Sequence, residues 1–218
     1  MKQRLASLSF LALCLTLAAV PATAQDIYDN GPTNGNVDAW VINFGFAVSD
    51  TFPVANNGTQ ITGANFAMWL YLPGDVLESA ELSITSSELG GTTYFDQTVN
   101  FTQSGCVPNQ SQYGSYYVCQ EATSFNGPTL NSGTYWLNLQ NASVNSGDPI
   151  YWDENSGPSS ASENEVGTIP SESFTLLGSS STGTTTTTGT DSVPELGSIV
   201  LFASGVLSVA GALRRKQF

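Results

Sequence analysis

Apolar side chains recur at every second position along most of this chain, and they do so in short runs separated by Gly, Pro and Asn. The run "VDAWVINFGFAVSDTF" sets Trp40, Ile42, Phe44 and Phe46 on one face at period two, which predicts a strand. Asn57-Gly58 then predicts a tight turn before "ITGANFAMWLYL", a second run of β character. "AELSITSS" places Leu82 and Ile84 on one side, and after the turn "LGG" the run "TTYFDQTVNFTQ" spaces Phe95, Val99 and Phe101 evenly. "YGSYYVCQEA", "GTYWLNLQNA", "DPIYWD" and "SESFTLLG" complete the series. Residues 25–178 hold no apolar repeat of 3.6 residues, so helices are not expected there. About eight or nine short strands predict an all-β domain, an antiparallel β-sandwich of the jelly-roll kind.

The two ends of the chain carry a different pattern. Lys2 and Arg4 precede an apolar stretch over residues 5–17, and Ala22-Thr23-Ala24 follows as a small-residue site. This combination predicts a secretory signal peptide over residues 1–24 with cleavage after Ala24. Cys14 lies in "LALC", but Leu13 stands where a lipoprotein needs a small residue, so Cys14 leaves with the signal. At the other end, residues 179–192, "SSSTGTTTTTGTDS", have nothing from which to build a core and form a flexible linker. A coil of that length spans on the order of 20 Å. Residues 197–213 are uncharged and, as a helix, extend about 26 Å, barely enough for a single transmembrane span. Arg214, Arg215 and Lys216 then remain cytoplasmic by the positive-inside rule.

Charge changes what the folded body can do. Residues 25–190 contain sixteen Asp or Glu and no Lys, Arg or His. Nucleic acid is therefore excluded as a partner, since it is bound through cations that neutralise phosphate. Catalysis loses the His base, the Lys nucleophile and any cationic oxyanion donor. Salt bridges within the body are impossible, so stability must come from apolar burial and hydrogen bonding. Trp40, Trp69, Trp136 and Trp152, with many Phe and Tyr, supply the apolar mass that a disordered acidic segment would lack.

Cys106 and Cys119 are the two cysteines left in the mature body, and an exported chain favours a disulfide between them over a metal pair. The densest chemical constellation is "SGDPIYWDENSGPSSASENE". Asp148, Asp153 and Glu154, with Glu163 and Glu165 beyond them, offer oxygen ligands for calcium, although an acidic loop in water is the commoner outcome of such a sequence. Tyr151 and Trp152 offer flat rings for sugar stacking, or else core packing. A pair such as Asp153 and Glu165 has the chemistry of a glycoside hydrolase, which needs two carboxyl groups at a defined separation.

Val193, Pro194 and Glu195, the apolar segment rich in Leu, Ala and Gly, and the terminal Arg214-Arg215-Lys216 block together resemble the PEP-CTERM sorting signal. The preceding Thr/Ser linker is also typical of that family, whereas Leu196 stands where the family usually has a second Pro. The resemblance covers residues 193–218. It implies a bacterium of Gram-negative type, transient anchoring in the inner membrane, cleavage near the motif by the membrane protease-transpeptidase exosortase, and delivery to the outer surface or a polysaccharide matrix. The body is similar to an exported β-domain that recurs with such tails, on "IYDNGPTNGNVDAWVINFGFAVSDTF" and "GTYWLNLQNASVNSGDPIYWDENSGPSSASENEVGTIPSESF"; that likeness implies no activity. The expectation is a non-enzymatic surface or matrix protein that acts beside extracellular polysaccharide. A carbohydrate-binding, adhesin-like module is the second expectation and a carboxylate-pair glycosidase the third.

Overall fold

The computed structural model describes residues 24–35, 37–109 and 115–180. Residues 1–23 of the expected signal peptide, the expected linker from residue 181 onward, the Val193-Pro194-Glu195 motif, the apolar segment and the basic block lie outside the described residues. Fourteen strands and no helix occupy the described part, arranged as two antiparallel sheets.

The larger sheet runs in the order β1 (Gln25–Asp29), β14 (Phe174–Ser180), β4 (Thr59–Leu70), β11 (Ile150–Asp153) and β2 (Ala39–Val41). On the other side of β4 it is extended by β8 (Tyr117–Ser124), β7 (Thr102–Pro108) and β9 (Thr129–Leu130). The smaller sheet has the order β13 (Gly167–Ile169), β12 (Ala161–Glu163), β3 (Ala47–Val54), β10 (Gly133–Val144), β5 (Leu77–Ser87) and β6 (Gly90–Asn100). The all-β expectation thus holds, and a two-sheet sandwich is the architecture.

Alternation determines which side chains meet between the sheets. Phe66, Met68 and Leu70 of β4 point inward with Ile61, and so do Leu82 and Ile84 of β5, Leu137 and Leu139 of β10, and Val48 and Phe52 of β3. Phe66, Trp152 and Phe174 form the aromatic centre, with Trp152 edge-on to Phe66 at 5.4 Å and to Phe174 at 5.6 Å. Such tilted ring pairs contribute about 0.5–1.5 kcal/mol each beyond the area they bury.

Two sequence expectations need correction. "VDAWVINFGFAVSDTF" is not one strand: β2 ends at Val41, a turn follows, and β3 begins at Ala47 in the opposite sheet. Phe46 donates its N–H to Asn43 O at 3.1 Å, and Phe44 sits at φ 58° with its ring 65 % exposed. The period of two continues through the turn by coincidence of residue type. The domain also runs past residue 178, because Ser179 and Ser180 pair with Gln60 and Thr59 as the end of β14.

Cys106 and Cys119 are joined as a disulfide. It links β7 to β8, adjacent strands, across thirteen positions of sequence.

Candidate functional site

The acidic segment 148–165 disperses instead of converging. Asp148 precedes β11 and contributes its backbone carbonyl to Asn43 Nδ2 at 3.0 Å. Asp153 is fully enclosed on the outer side of β11, where its Oδ1 accepts from Trp69 Nε1 at 2.6 Å and Gly35 N at 3.0 Å, and its Oδ2 from Asn34 N at 3.0 Å. These contacts pin the 31–35 loop onto the sheet. Glu154 accepts from Trp40 Nε1 at 3.2 Å. Glu163 closes its own turn by accepting from Glu165 N at 3.0 Å and Val166 N at 2.9 Å, leaving Glu165 exposed at the β12–β13 connection. Among the described residues no group of three or more acidic or cysteine side chains is placed to hold a metal ion. Asp153, in β11 of the larger sheet, and Glu165, in the turn between β12 and β13 of the smaller, are the pair with hydrolase chemistry, and they are carried by different sheets' strands and connections.

Tyr151 and Trp152 diverge because neighbours on a strand face opposite ways. Trp152 is fully buried between the sheets and donates its indole N–H to Ser173 O at 2.9 Å. It is a core residue, and the expectation of an exposed stacking ring there is corrected. Tyr151 lies on the outer face, opposite Trp69 in register. Sequence reasoning missed its companions: Tyr116 packs against Tyr151 at 5.6 Å, Trp69 at 5.6 Å and Tyr71 at 6.1 Å. Burial raises the pKa of the Tyr151 hydroxyl, and the Tyr116 phenol beside it raises it further. Tyr71 remains half exposed at the rim.

The strongest electrostatic feature is internal. Asn30, at the end of β1, directs its amide nitrogen toward Asp50 Oδ2 (3.1 Å), Ser159 Oγ (2.7 Å), Ser171 Oγ (2.8 Å) and Glu172 O (2.6 Å). Tyr28 donates its hydroxyl to Asn30 Oδ1 at 2.5 Å. Asn155 donates to Asn30 O at 2.9 Å and accepts from Ser171 Oγ at 2.9 Å. A Cβ at Gly157 would stand 2.1 Å from Asn30 O, so the chain can pass here only with glycine. Asp50 comes from β3 of the smaller sheet and Asn30 from the end of β1 in the larger, so the network fastens one sheet to the other.

Burial shifts the carboxyls in this interior upward. Asp50 and Asp153 are each raised to about 6, with their hydrogen bonds opposing the rise. Glu172 is held well above the usual carboxylate range by burial and by the charges of Asp50, Glu154, Asp153 and Asp38. Glu121 on β8 faces the core opposite Phe66, and desolvation lifts it to about 8. Neither Glu121 nor Glu172 has a hydrogen-bond partner for its carboxyl oxygens among the described residues. Enclosed and close to neutral, these acids can act on stability, but no substrate reaches them at 1 % and 0 % exposure.

By architecture the protein is a two-sheet, disulfide-stapled β-sandwich with an acidic exterior. No protein-family model and no curated protein matches the chain.

Proposed function

We propose that this chain is a non-enzymatic β-sandwich of a bacterial surface or polysaccharide matrix, exported through its signal peptide, held briefly by its tail and released or transferred by exosortase. The observation that carries this reading is the order of parts in one chain: an export signal, an acidic sandwich without a single cation, a Thr/Ser linker, and a Val-Pro-Glu, apolar and basic tail. The Cys106–Cys119 disulfide supports it, because such bonds persist in oxidising compartments. The sealing of Asp153, Asp50 and Glu172 away from solvent supports a structural over a catalytic use of the carboxylates. Consecutive strands move between sheets, with β3 in the smaller, β4 in the larger and β5 back in the smaller, and we read this traffic as that of a jelly roll.

The test separates the tasks of the tail. In cells that contain exosortase, replacing Pro194 and Glu195 should leave the membrane span intact and cause uncleaved protein to accumulate in the inner membrane. Neutralising Arg214, Arg215 and Lys216 should instead weaken retention and orientation. Normal processing and surface delivery of the Pro194/Glu195 variant would favour a simple membrane anchor.

A further inference from the structure

The outer face of the six-stranded sheet is polar in register from strand to strand. Ser162 of β12 lies opposite Ser49 of β3, Ser49 opposite Asn138 of β10, Asn138 opposite Ser83 of β5, and Ser83 opposite Asp96 of β6. Ser49 donates to Asn138 Oδ1 at 2.5 Å, and Asn138 donates in turn to Ser83 Oγ at 3.0 Å and Thr85 Oγ1 at 2.9 Å. The amide is thereby fixed in the middle of the face. Gln140, two residues along on the same side, makes no side-chain hydrogen bond among the described residues.

A groove of about 190 Å³ opens here, lined by Asn138, Gln140, Ser83, Asn164 and Leu89. Its walls are held. Asn164 accepts from Ala47 N at 2.8 Å and donates to Gly45 O at 3.2 Å, while the β5–β6 tip is tied down where Ser162 donates to Glu88 and Leu89 N reaches Ser49 Oγ at 3.5 Å. Trp136, also on this face, is only partly buried. Trp40, Trp69 and Trp152 each donate the indole N–H to a protein acceptor, whereas Trp136 has none among the described residues. A buried indole N–H usually finds a protein partner, so the partly buried Trp136 keeps its donor for solvent or a ligand.

We propose that this face binds a neutral polysaccharide that runs along β10, with Gln140 offering its amide to sugar hydroxyls in the groove and Trp136, outside the groove on the same face, its indole to a further sugar. Charge selects the class of ligand. Glu81 lies opposite Gln140 and Asp96 opposite Ser83, so uronate, sulfate or phosphate on this face would meet negative charge and no cation. The pre-formed walls reduce the ordering cost of binding. The proposal deepens the matrix reading above and relies on it for where such a polymer is met.

The full chain, purified with its disulfide intact in mild detergent, is run in native gels that contain a soluble glucan, a galactomannan or, as the anionic comparison, alginate. A neutral polymer should retard it and alginate should not. Trp136→Ala and Gln140→Ala should each weaken retardation about tenfold, the loss typical of an anchoring contact. Thermal melts verify that the variants fold, and Trp136→Phe substitutes if the alanine variant does not. Tyr71→Ala, on the other sheet, should bind like the parent. Failure of both neutral polymers to retard the parent, equal retardation of the Trp136 and Gln140 variants, or preference for alginate overturns the proposal. Binding by a protein that proves not to be exported would remove the matrix reading and keep the groove; surface delivery without binding would do the reverse.

Discussion

Glu172 donates its backbone N–H to Asp50 Oδ2 at 2.8 Å, yet the carboxyl of Glu172 itself, completely buried, finds no hydrogen-bond partner among the described residues. An ionised carboxylate in such a place would be very costly, so burial favours its protonated form. The same holds for Glu121 beside Phe66. The fold has been built around acids that behave as neutral polar groups.

A pH dependence follows. A carboxyl whose folded pKa exceeds its unfolded value binds its proton more tightly in the native state, so its stabilising effect is complete below the unfolded value, about 4, and is lost as pH rises through the folded value. For Glu121 that window extends to about 8, and for Asp50 and Asp153 to about 6. Urea midpoints should therefore fall between pH 5 and pH 8. Glu121→Gln should match the parent at pH 5 and exceed it at pH 8 by on the order of a few kcal/mol, since one pKa unit corresponds to about 1.4 kcal/mol. Parallel curves for the two proteins would show that Glu121 does not carry the effect.

Asn30 provides a second test. Its replacement by Ala strips a donor from Asp50, Ser159 and Ser171 at once, and Asn30, Asp50 and Ser171 are buried. We expect a loss of about 3 kcal/mol by equilibrium denaturation, because removing one partner of a buried charged group leaves the other unsatisfied. A loss well under 1 kcal/mol would mean that the sheets are held together here by apolar contact alone.

Neighbouring aromatics should respond differently. Trp152→Ala opens a hole between Phe66 and Phe174 and should cost about 3–5 kcal/mol. Tyr151→Ala removes an outer, partly exposed ring and should cost less than half as much. Calorimetry of both variants measures the difference, and equal melting points would contradict the assignment of opposite faces.

Reducing the Cys106–Cys119 bond should lower stability by about 3 kcal/mol on the chain-entropy argument for a loop of this size. Non-reduced mass spectrometry of residues 25–180 should find no free thiol, and denaturation with and without reductant measures the cost.

Calcium should have little effect. Three donors already occupy the Asp153 carboxylate, and Asp148 and Glu154 serve separate local contacts. Melting temperatures in excess calcium and in chelator should coincide; a calcium-dependent rise would indicate a site formed by other residues.

What could be read from the residues in order was whatever depends on neighbours in sequence. Alternation in "AELSITSS" and "GTYWLNLQNA" marked β5 and β10 because a pleated strand repeats every two residues whatever it packs against. The Cys106–Cys119 pairing was legible since only two cysteines remain once the expected signal peptide is set aside. The face of Trp152 was not legible: "PIYWD" alternates equally well with Tyr151 inward, and only pairing with β4 puts Trp152 beside Met68 and Tyr151 beside Trp69. Nor could Phe44 be told from a core residue until the Asn43–Gly45 turn carried the chain from one sheet to the other. The polar network was hidden most completely. Asn30 reaches Glu172 across 142 positions, and Asp50 looks like any acidic residue until β3 turns it inward. Periodicity is local and survives without tertiary structure, whereas burial, proton affinity and the meeting of distant polar groups exist only once the two sheets close on each other.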